Sequence, residues 1–147
     1  MQIQFTAVSE NEAFARIAVA AFVTPLNPTL EEIADIKTAV SEAVTNAIIH
    51  GYDGMTGKEQ NQVYIHCLLN RDVLQVEVID EGKGIEDVEK AMEPMYTTKP
   101  DMDRSGMGFA FMEAFMDELE VISEPGQGTT VLMSKKLGTL PFIDREE

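Results

Sequence analysis

Residues 41–52 read SEAVTNAIIHGY. The carboxylate of Glu42 and the amide of Asn46 stand four positions apart, a spacing that places both on one side of a helix. Thr38 and His50 extend that series in both directions. Ile33, Ile36, Val40, Ala43, Ala47 and Ile48 trace an aliphatic stripe on the same helix, which is expected to run to about His50. A solvated polar face has the same period. The small and aliphatic flanks instead set Glu42 and Asn46 at the rim of an apolar surface.

Upstream, Thr29 and Glu32 form a capping-box pattern for this helix, and Pro25 and Pro28 end the one before it. That earlier helix should start at Ser9, with Glu12 completing a second box, and should bury Phe14, Ile17, Ala18 and Ala21. Residues 2–8 alternate as a strand. Downstream, residues 51–61 have turn composition and predict an exposed connection. Residues 62–69 and 73–79 alternate as adjacent antiparallel strands joined across Asn70, Arg71 and Asp72. A short helix over 85–91, a loop over 93–105, a helix over 108–116 and a hairpin of 118–124 with 129–136 complete the pattern. Three principal helices against a mostly antiparallel sheet predict an α/β (α+β) two-layer sandwich. One domain over 1–136 and a mobile acidic tail over 137–147 are expected.

The chain has 147 residues, 44% hydrophobic and 25% charged, which suits one domain with a real core. A net charge of -15 argues against general nucleic-acid binding, whose affinity comes largely from cations neutralising phosphates. It suits a basic protein partner, or solubility alone. Cys67 is the only cysteine, so no intrachain disulfide can form, and its strand setting predicts a buried structural thiol. His66 reads as a structural residue of the same strand. No apolar run approaches the ~20 residues needed to span a bilayer, and the cytoplasm is the expected location.

Three further strings carry chemistry. DEGKGI at 80–85 follows an aliphatic strand: Asp80 can accept a hydrogen bond from an adenine amino group, and Gly82 and Gly84 permit close ligand approach. RSGMGF at 104–109 leads into a helix whose free N–H groups and positive end suit a triphosphate. Lys99 and Arg104 add cations beside it. GTT at 128–130 closes the series. A carboxylate at Glu42 can deprotonate an attacking hydroxyl, and the carbonyl oxygen of Asn46 can coordinate Mg2+. His50, at the helix end, equally fits a cap or a packed ring. There is no GxxxxGK[ST], no complete GxGxxG, no HRD and no DFG, so ATP use needs a different fold.

In order, these motifs resemble the N box, two glycine boxes and terminal threonine motif of the GHKL ATP-binding superfamily. NEAFAR at 11–16, TTKP at 97–100 and RSGMGF extend the resemblance, over about residues 2–136, to the anti-sigma serine kinases of spore-forming bacteria. The resemblance implies a Bergerat-type ATP-binding fold and a homodimer that holds the sporulation sigma factor F when ATP is present. It also implies phosphorylation of a serine on a small anti-anti-sigma antagonist. By carry-over Glu42 is the catalytic base and Asn46 the Mg2+ ligand. Asp80 reads adenine with Gly82, Gly84 and Thr130. Lys99, Arg104, Ser105, Gly106, Met107 and Gly108 surround the phosphates, and Arg16 and Asp103 face protein partners. Two alternatives are a general-stress anti-sigma kinase of other sigma specificity and an ATP-binding adaptor without phosphotransfer.

Overall fold

The computed structural model describes residues 1–53, 60–93 and 108–138. Strand β1 (Gln2–Thr6) leads to helices α1 (Glu10–Phe22) and α2 (Leu30–Asn46), then to strands β2 (Gln62–Asn70) and β3 (Val73–Asp80). The short helix α3 (Val88–Ala91) and helix α4 (Gly108–Phe115) precede strands β4 (Glu118–Ser123) and β5 (Thr129–Lys136). All pairings are antiparallel in one sheet of order β1-β2-β3-β5-β4. Val63, Ile65 and Cys67 of β2, Leu74, Val76 and Val78 of β3, and Val131 and Met133 of β5 turn one sheet face into the core. Helices cover that face, giving the expected two-layer sandwich. The other face carries the exposed Leu68 and Ile122 and the His66–Glu77 pair at 3.3 Å.

The two capping patterns have different outcomes. Thr29 caps α2: its hydroxyl accepts from Glu32 N–H at 3.0 Å, and the Glu32 carboxylate accepts from Thr29 N–H at 2.9 Å. Ser9 makes no side-chain cap, because its backbone is already helical (φ -56°, ψ -35°). Glu12 is engaged instead with Ser41 of α2 and with Arg16 at 3.5 Å. The buried stripe of α1 is also rotated from the expected one. Ala15, Val19 and Val23 are fully buried, whereas Phe14 and Ile17 are 49% and 58% exposed. Small residues at four-residue spacing let α1 lie close against α2, and the larger side chains are left outside.

The β2–β3 turn takes two residues rather than three, since Asn70 pairs with Val73 and Arg71 adopts φ 59°. Cys67 is buried as expected, and desolvation pushes its thiol up to about 11. Residues 137 and 138, expected in a mobile tail, are packed: Leu137 is fully buried, and Gly138 N–H donates to Glu32 at 3.3 Å. Residues 139–147 lie outside the described residues. Among those described, no helix is long and apolar enough to cross a membrane.

Candidate functional site

Asp80 ends β3 directly opposite Thr129 of β5 and is only 5% exposed. Gly82 N–H donates to its carboxylate at 2.9 Å, and Thr129 N–H donates as well. Desolvation nevertheless outweighs these donors, with Glu81 adding to it, and pushes the acid up to about 6. A buried carboxylate at a cavity wall is an acceptor held ready for an N–H donor. The cavity is about 570 Å3, large enough for a nucleotide, and its walls include Asn46, His50, Gly51, Asp80, Gly84 and Gly108.

The two glycines of the turn act differently. Gly84 lines the cavity at φ +77°, and a Cβ there would stand 2.0 Å from the Glu124 carbonyl oxygen. Gly82 does not line it. A Cβ on Gly82 would stand 1.9 Å from the Gly51 carbonyl oxygen, so this glycine serves the close approach of two backbones. Ser123 fixes the following residues by accepting from Ile85 N–H at 2.8 Å.

Also in the cavity wall, α4 begins with Gly108 against the polar stripe of α2. A Cβ on Gly108 would lie 3.2 Å from both amide atoms of Asn46 and 3.4 Å from Glu42 Oε1. The first N–H groups of a helix lack intrahelical partners, so the start of α4 offers donors and positive potential beside Asn46. One cavity thus runs from a buried carboxylate to a helix start flanked by an amide and a carboxylate. Lys99, Asp103, Arg104, Ser105, Gly106 and Met107 lie outside the described residues.

Thr129, rather than Thr130, shares the cavity with Asp80. Along β5, burial alternates with Thr129, Val131 and Met133 inward, which turns Thr130 to the open sheet face opposite Ile79. Thr129 Oγ1 pairs with Ser123 Oγ at 2.8 Å. Lys83 and Lys90 also line the cavity, and no motif in the sequence marks them for it. Arg16 lies elsewhere, in a second depression of about 430 Å3 between α1 and α2 with Lys37, Thr38, Ser41 and Glu42. Its Nε is buried without a partner among the described residues. Glu42 therefore stands between the two depressions.

Fold and site define an ATPase domain: the chain belongs to the histidine kinase-like ATPase domain family, whose model matches residues 5–135. Within it, the chain falls among the anti-sigma F factors. It is 56% identical over 140 residues to the anti-sigma F factor of Clostridium beijerinckii, covering 95% of this chain and 96% of that one. To the anti-sigma F factor of Oceanobacillus iheyensis it is 55% identical over 137 residues, covering 93% and 92%. Two solved structures share the fold. The RsbU and RsbW domains of Rv1364c from Mycobacterium tuberculosis superpose with a TM-score of 0.62 at 22% identity, over 93% of this chain and 31% of that one. The mycobacterial sensor histidine kinase MprB gives 0.55 at 17% identity, over 71% and 72%.

Proposed function

We propose that the chain is an ATP-dependent anti-sigma factor that sequesters the sporulation sigma factor F and phosphorylates a serine of its anti-anti-sigma antagonist. The observation that carries this reading is that Asn46 and the start of α4, with Glu42 beside them, share one cavity with Asp80. The adenine amino N–H would donate a hydrogen bond to the Asp80 carboxylate, and the triphosphate would extend toward Gly108. Asn46 would hold Mg2+, an ion that keeps several waters and takes few protein ligands. When bound, Mg2+ supplies charge neutralisation on the phosphates.

Glu42 is the base in this scheme. It accepts the acceptor serine's proton as the serine oxygen forms its bond to the γ-phosphorus, the bond to the bridging oxygen breaks, and ADP leaves. Its position beside the second depression gives a protein hydroxyl a route to the phosphate end. Arg16, with the exposed Phe14 and Ile17 on the same helix, supports a partner-binding role for α1. Asp103 and homodimerisation join the proposal through the family.

Sigma capture needs the bound nucleotide, whereas phosphotransfer also needs the base. Glu42→Ala should therefore lower phosphotransfer by at least about 100-fold while ATP-dependent capture of sigma F persists. Parallel assays of both activities on the folded variant check this, and equal losses of the two would contradict it.

A further inference from the structure

The helical path does not stop at Asn46. Ala47–Gly51 continue as a wide turn, closed by Tyr52 N–H donating to Ala47 carbonyl oxygen at 3.0 Å. Such turns are rare and concentrate at functional sites. This one delivers Tyr52, 8% exposed, to the start of the glycine turn. The Tyr52 hydroxyl donates to Gln62 carbonyl oxygen at 2.6 Å and accepts from Glu81 N–H at 2.7 Å. Burial, together with the charges of Asp80 and Glu81, pushes the phenol up, so it remains a neutral donor.

Further contacts join the same two segments. Lys83 N–H donates to Gly51 carbonyl oxygen at 2.9 Å, and Lys83 Nζ pairs with Asp53 at 2.8 Å. A Cβ on Gly51 would lie 2.8 Å from the Asp80 carboxylate carbon. No slack remains between the end of the α2 path and the base-reading carboxylate.

We infer that Tyr52 is a positioning residue for adenine recognition: its hydroxyl latches the turn after Asp80 to the segment leading from Asn46. One latch thereby sets the two ends of the nucleotide site relative to each other. This rests on the ATP reading above. Phenylalanine at 52 keeps the ring and deletes both hydrogen bonds. A latch acting through Asp80 must affect ligands that carry the adenine amino group more than ligands that lack it.

The test is equilibrium binding, with Mg2+, of ATP and of purine riboside triphosphate, which lacks that amino group, to the full chain and its Tyr52→Phe variant. The wild type should prefer ATP by about tenfold, the size of one well-placed hydrogen bond. Tyr52→Phe should raise the ATP Kd by about five- to tenfold and the analogue Kd by less than about twofold. Equal weakening of both ligands, or of neither, overturns the latch. A wild type that binds ATP without preferring it removes Asp80 as base reader and the latch with it, and a wild type that binds neither refutes the nucleotide site itself. If Tyr52→Phe does not fold in plain buffer, both proteins are compared in trimethylamine N-oxide, which favours the folded state, and the same selective loss must appear.

Discussion

Asp80 is where stability and function pull apart at single-residue scale. Its folded acid sits at about 6 against an ordinary 3.8, so between those values the unfolded chain has released a proton that the folded chain retains. Rising pH across that window favours unfolding, and the effect levels off above about 6. The unfolding free energy of wild type relative to Asp80→Asn should fall by roughly 2–3 kcal/mol from acid to neutral pH. Urea melts at several pH values check this, and a flat difference would contradict it. The same substitution should weaken ATP binding by at least about tenfold, measured by calorimetry, because an amide cannot offer the carboxylate's paired acceptor sites. The grouping of Glu42, Asn46 and Asp80 was legible because four-residue spacing sets the first two on one side of α2 and a strand end delivers the third into a glycine turn. Thr129 was not, although the inward parity of Val131 and Met133 contained it, because Leu132 blurs the alternation. The glycine-turn pattern points Gly82 toward a ligand. Its neighbour is the Gly51 carbonyl, a contact between segments about thirty residues apart that local pattern does not encode.

At the scale of elements, identical capping signatures diverge. The Thr29 and Glu32 pair closes both hydrogen bonds, whereas Ser9 already has helical dihedrals and Glu12 is drawn to Ser41. Thr29→Ala should therefore cost about 1 kcal/mol in chemical denaturation, against less than about 0.5 kcal/mol for Ser9→Ala. Equal costs would mean that Ser9 caps in solution. The sequence period located α1 but not its rotation. Phe14 and Ile17 look like core residues by hydropathy, yet close helix packing favours Ala15, Val19 and Val23 inside. The strands were legible nearly to the residue, because alternation and the Arg71–Asp72 turn leave little choice of register.

For the molecule as a whole, a charge of -15 sets the terms on which it meets partners. Association with a sigma factor or antagonist presenting basic surface should be fast at low salt, with an on-rate that falls as ionic strength rises and an off-rate that changes less. Stopped-flow binding across a salt series would show it, and a salt-independent on-rate would count against electrostatic steering. Whether the cavity serves phosphotransfer shows in the fate of the γ-phosphate. Purified protein is incubated with Mg2+ and γ-labelled ATP, with and without the folded antagonist, and the label is localised by mass spectrometry. Label is expected on a single antagonist serine and is absent with Glu42→Ala. ATP bound at the site with no label transferred to the folded antagonist would contradict it.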